Sequence, residues 1–100
     1  MLRHVVLFKF KEGAGPGRVN EVEKSFRALA KDFHEIRDFE WGTNNRPENL
    51  NQGFTHCFLL SFAGEKERDE YLPHPAHQAF IKKLKPILDK ALVIDYEVQK

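Results

Sequence analysis

The chain has 100 residues, of which 41% are hydrophobic and 31% charged, and a net charge of +1. That is the length of one domain, 1–100, with the composition of an ordinary soluble globular protein. Lys and Arg are interspersed with Asp and Glu, so charge gives no reason to expect a nucleic-acid or membrane partner.

Residues 2–10 alternate, with His4, Val6, Phe8 and Phe10 on one face and Arg3, Val5, Leu7 and Lys9 on the other, which predicts a strand. Residues 12–17 are rich in glycine and read as a loop. Val19, Val22, Phe26, Leu29, Ala30 and Phe33 then recur at helical spacing, predicting an amphipathic helix over 18–33. A second strand is expected over 36–44, with Phe39, Trp41 and Thr43 on one face, and residues 45–53 form a polar loop. The third strand, 54–62, carries His56, Phe58, Leu60 and Phe62 on one face. A short charged helix over 65–72 is broken by Pro73 and Pro75, and Pro75 suits the first turn of a new helix. Phe80, Ile81, Leu84, Ile87 and Leu88 form that helix's stripe, which Pro86 kinks or shortens, before a last strand over 91–98.

The order β-α-β-β-α-β predicts an α+β, ferredoxin-like fold: one antiparallel four-stranded sheet covered on one face by the helices. Residues 3–10 faintly repeat as 55–62, which sets His4 and His56 at the starts of two central, adjacent strands on the covered face. Taken as parallel and about 4.8 Å apart, those strands would put the two imidazoles in contact. The uncovered face carries Val5, Leu7, Cys57 and Leu59. A core this thin, burying roughly 65% of the unfolded chain's surface, benefits from a second copy on that face, so a homodimer is expected. The lone Cys57 excludes an intrachain disulfide and reads as a small buried hydrophobe. No apolar run approaches the ~20 residues of a membrane span, and the N-terminus lacks a signal peptide's apolar core, so a cytoplasmic location is expected.

The segment Tyr71-Leu72-Pro73-His74-Pro75-Ala76-His77 concentrates the chemistry. Imidazole and phenol are the side chains most used for proton transfer near neutral pH. His77 falls in the first turn of a helix, where the dipole disfavours imidazolium and keeps the ring able to accept a proton. His74, just before Pro75, is the expected cap, and Tyr71 has a phenol to donate to a carbonyl or enolate oxygen. Each has an ordinary alternative: a strand-end histidine bonded to backbone, a solvated histidine, a tyrosine buried against the kink. His74 and His77 lack the nearby Cys or carboxylate of a zinc site, so no side-chain metal centre is expected.

In Arg3-His4-Val5-Val6-Leu7-Phe8-Lys9-Phe10, Trp41-Gly42, Thr55-His56, the Tyr71–His77 segment and Ile94-Asp95-Tyr96, the chain resembles the stress-responsive dimeric α/β-barrel family, over nearly its whole length. Within that family the pattern is similar to that of olivetolic acid cyclase-like members. The resemblance implies a homodimer whose two sheets close into a barrel, and a pocket between sheet and helices shared by His4, His56, Tyr71 and His77. It implies a catalytic pair, with His77 as the base removing a proton alpha to a carbonyl and Tyr71 stabilising the enolate. His4, His56, Phe8 and Phe58 would contact the substrate. Some relatives hold magnesium through backbone carbonyls, which would fall on Ala30, Phe33 and Ile36 here; no other cofactor is implied.

The leading expectation is therefore a dimer that binds a small carbonyl-bearing or aromatic molecule, with cyclase- or lyase-type acid–base chemistry. A non-catalytic stress-associated protein whose assembly is its function is the alternative. A cofactor-independent or haem-related monooxygenase on the same barrel is the third.

Overall fold

The computed structural model describes residues 1–100. Strand β1 (Leu2–Phe10) buries Leu2, His4, Val6 and Phe8 in strict alternation, as its pattern requires. Gly15, at φ 81°, turns the chain into helix α1 (Pro16–Asp32), and Pro16 occupies its first turn, where a missing N–H costs no bond. The helix therefore begins two residues before its apolar stripe suggests, and it buries Val22, Phe26, Leu29 and Ala30. Strands β2 (Asp38–Thr43) and β3 (His56–Phe62) follow, with Phe54 and Thr55 outside the second. Helix α2 (Glu65–Tyr71) stops at the proline break, and α3 (Pro75–Leu84) restarts with His74 as the expected cap, its Nδ1 accepting the Ala76 N–H at 3.1 Å. Pro86 sits in a 3-10 turn over Lys85–Ile87. Strand β4 (Leu88–Glu97) starts three residues earlier than expected, because Leu88 pairs with Phe10 across the sheet.

The sheet order is β2-β3-β1-β4, and every neighbouring pair is antiparallel. This confirms the ferredoxin-like arrangement but overturns the parallel relation of the two central strands. A helical crossover leaves β1 and β2 parallel, and the β2–β3 connection then reverses direction, so β3 must oppose β1. His4 lies across from Leu60, and His56 lies across from Phe8. The two histidines share the covered face but sit four positions apart along β1, about 13 Å at the rise of a strand. They are not in contact.

The covered face is packed with aromatic rings. Phe26 stacks within 4.6 Å of both Phe58 and Phe80, and Phe8 lies 5.3 Å from Phe58. Phe8 and Phe58 are core residues that fill the centre of this layer. On the open face Val5, Leu7 and Leu59 are half-buried, while Leu92, Ile94 and Tyr96 of β4 are 43%, 56% and 48% exposed. Cys57 is exposed there too, not buried as expected: its strand position faces away from the helices. No helix is long and apolar enough to cross a membrane.

Candidate functional site

The antiparallel sheet assembles the site. β3 ends with Phe62 beside Leu2, so α2 and the proline bend begin next to the start of β1. Tyr71, the last residue of α2, lies with its ring 6.3 Å from His4 and 4.6 Å from His77. Three of the four expected side chains thus converge, and the bend reaches His4 without crossing the sheet.

The proline break also prepares His77. Leu72 precedes Pro73, and the Ala76 N–H that would continue a helix is taken by the His74 side chain. The Leu72 carbonyl is left to side chains, accepting from His77 Nδ1 at 2.9 Å and from Gln78 Nε2 at 3.0 Å. A carbonyl only accepts, so Nδ1 carries a proton, and in the neutral ring Nε2 then carries the lone pair. Burial lowers the His77 pKa below the usual imidazole value, and nearby His4 lowers it further against the opposing Leu72 bond. The ring therefore favours the neutral, proton-accepting form, with burial as the main cause.

Tyr71 is wholly buried between Phe33 and Phe62, with ring centroids at 5.3 and 5.4 Å. Its hydroxyl has no hydrogen-bond partner, and it is the one buried side-chain polar atom in that state. Desolvation pushes the phenol pKa well above its ordinary value, so the group stays a donor.

His4 is oriented from behind. Its Nδ1 meets Asp95 Oδ1 at 2.6 Å, across the β1–β4 pairing, and Arg68 Nη1 binds the other carboxylate oxygen at 3.1 Å. Because a carboxylate accepts, His4 Nδ1 donates, and α2, β1 and β4 are tied together at this corner. Asp95 and Arg68 escaped the sequence reading. Asp95 left one signal: a carboxylate on the inward face of the last strand, where an apolar residue belongs.

His56 belongs to the opposite end. Its Nε2 meets Glu23 Oε2 and its Nδ1 meets Thr55 Oγ1, both at 2.7 Å. Trp41 stacks on it at 5.9 Å with the rings 3° apart, and Phe10 meets it edge-on at 5.0 Å. Glu23 was also missed, although it directly follows Val22 on the buried stripe of α1. The core phenylalanines Phe8 and Phe58 lie between the two ends.

Two hollows adjoin these groups. A groove of ≈ 660 Å³ on the open face runs past Trp41, Thr55 and His56. A smaller hollow of ≈ 250 Å³, between the end of α1 and the start of α3, is walled by Leu29, Phe33, His74 and Ala76. No three His, Cys, Asp or Glu side chains converge as metal ligands. The carbonyls of Ala30, Phe33 and Ile36 offer three neutral oxygens, and that of Phe33 already accepts the Ile36 N–H at 3.0 Å. Magnesium prefers six oxygens and one or two carboxylates, so these carbonyls alone fit it poorly.

The stress responsive A/B barrel domain family matches residues 2–98. The chain belongs to that family. Among curated relatives, a stress-response A/B barrel domain-containing protein of Arabidopsis thaliana, HS1, is 38% identical over 96% of this chain and 88% of its own. Olivetolic acid cyclase of Cannabis sativa is 26% identical over 99% of this chain and 98% of its own. A crystal structure of an Arabidopsis thaliana protein superposes with a TM-score of 0.92 at 37% identity, covering 100% of this chain and 97% of that one. A dimeric ferredoxin-like protein of unknown function from a Jannaschia species gives 0.83 at 27% identity, over 97% of this chain and 98% of that one. In this A/B barrel domain, a buried phenol donor and a neutral imidazole base stand ring to ring. That is the equipment for polarising a carbonyl while taking a proton from the carbon beside it.

Proposed function

We propose that this protein is a homodimer that binds a small carbonyl-bearing or aromatic molecule beside Tyr71 and His77 and performs cyclase- or lyase-type acid–base chemistry on it. The observation that carries this reading is the unpartnered Tyr71 hydroxyl. Burying such a group without a bond costs about 1–3 kcal/mol, a penalty that a ligand oxygen would relieve. His77 Nε2 would remove the α-proton, Tyr71 would donate to the developing enolate oxygen, and His4, fixed by Asp95, would contact the ligand. Phe8 and Phe58 would back the site from the core, and His56, beyond them, would hold the other end of the layer rather than touch the ligand. No step is assigned to a metal or an organic cofactor. The likeness to a cyclase over almost the whole chain supports this chemistry. The exposed Leu92, Ile94 and Tyr96, together with the dimeric relative, support a second copy on the open face.

The test is deuterium uptake at the methyl group of acetophenone in D₂O, followed by proton NMR. Wild type should accelerate it, and His77→Ala should lose about 10²–10⁴ of that acceleration. Equal rates with and without wild-type protein, across ketones of several sizes, would refute the catalytic reading. One observation favours the assembly reading instead: close-packed phenylalanines occupy the centre of the covered layer. A stable dimer without exchange activity would support it.

A further inference from the structure

Four rings wall Tyr71: His4, Phe33, Phe62 and His77. Of these, only Phe33 also forms the wall of a sizeable hollow, the ≈ 250 Å³ recess between the end of α1 and the start of α3. Phe33 stands edge-on to Tyr71 on one side, at 5.3 Å and 77°, and edge-on to His74 on the other, at 4.8 Å and 89°. One side chain thus separates a recess open to solvent from a phenol with no partner.

The backbone around Phe33 suits movement of that ring. Phe33 has left the helix, with extended torsions of φ −104° and ψ 97°. Its N–H remains held by the Leu29 carbonyl at 3.1 Å, and its own carbonyl holds the Ile36 N–H at 3.0 Å. The main chain is pinned on both sides, and the buried ring sits at the edge of the core beside the recess. A rotamer change therefore moves the ring without unravelling α1. His74, across the recess, caps α3 and is itself exposed to solvent.

We propose that the recess by His74 and Ala76 is the mouth of the Tyr71–His77 site, and that Phe33 is the gate that sets which carbonyl compounds reach it. This rests on the function proposed above and adds a specificity-determining residue to it. Compounds as slim as a phenyl ketone pass when the ring swings aside, and bulkier ones are rejected by Phe33 rather than by the catalytic pair.

The gate is testable without any substrate, because nitration reads the accessibility of a tyrosine directly. Tyr71 is wholly buried. Nitration by tetranitromethane, mapped by mass spectrometry and referred to the same peptide in the urea-unfolded protein, should modify Tyr71 slowly in wild type. Phe33→Ala should raise the Tyr71 rate at least about tenfold, since removing the ring opens the site locally. Phe80→Ala, which empties an equally buried ring position away from Tyr71, should not. A folded Phe33→Ala that leaves Tyr71 as protected as wild type overturns the gate. So does a Phe80→Ala that exposes Tyr71 equally, because the effect is then general loosening. Phe33→Leu, a milder change, decides the matter if Phe33→Ala does not fold, with the same directions expected. Ala76→Trp at the rim should slow deuterium uptake by acetophenone, and an unchanged rate would place the mouth elsewhere. If wild type exchanges no ketone, the function proposed above fails, while nitration still judges Phe33 on its own.

Discussion

Tyr71→Phe should make the protein more stable and less active. The substitution keeps the ring, and with it the contacts to Phe33, Phe62 and His77. It removes only a hydroxyl that is fully buried and bonded to nothing. A buried unpaired polar group costs about 1–3 kcal/mol, so its deletion should return an amount of that order to the folded state. For a domain of this size each kcal/mol moves the melting temperature by about 4–8 °C, so even the lower limit gives a clear rise. The assay is thermal unfolding of the two proteins at the same concentration, paired with ketone deuteration. Tyr71→Phe should show a higher melting temperature together with slower exchange, the trade expected where a site is kept strained for its ligand. A melting temperature lowered by several degrees would refute it, because the hydroxyl would then be satisfied in the free protein.

Acid should expose the state of His77. Its folded pKa lies below that of the unfolded chain, so the unfolded state binds more protons and stability falls as pH drops below the ordinary imidazole range. His77→Gln should flatten that part of a stability-versus-pH curve measured by urea unfolding, and an unchanged curve would contradict the assignment. Asp95→Asn should slow ketone deuteration while the fold persists by circular dichroism, because one carboxylate oxygen becomes an NH2 and His4 Nδ1 and Arg68 Nη1 must then compete for the single remaining acceptor. Glu23→Ala should cost about 1–3 kcal/mol in urea unfolding by stranding the buried His56 Nε2, and no loss would mean the pair is idle. Ile94→Glu should halve the mass seen by analytical ultracentrifugation by charging the centre of the open sheet face.

The fold was legible because its signals are periodic. Alternation in residues 2–10 and 54–62 and the 3.6-residue stripe of α1 are enforced by burial, and these elements appear within two residues of where the pattern put them. Element ends were less legible: Pro16 extends α1 beyond its stripe, and pairing with Phe10 draws Leu88 into β4. Strand direction is not written in periodicity at all, since a strand alternates identically either way. That is why His4 and His56 were paired when the crossover topology in fact separates them. The proline bend announced Tyr71 and His77, because prolines that break a helix also free a carbonyl. Asp95, Arg68 and Glu23 stayed hidden, because exposed charges are common and only the fold reveals which of them turn inward onto a histidine.

The proposed chemistry depends most directly on where the proton sits on His77. Long-range proton–nitrogen NMR of the imidazole rings at neutral pH reads this without a substrate. The Leu72 carbonyl at 2.9 Å requires a proton on Nδ1, and in the neutral ring that leaves Nε2 bare. A spectrum showing the proton on Nε2, or a doubly protonated ring, would remove the base and with it the proposed chemistry.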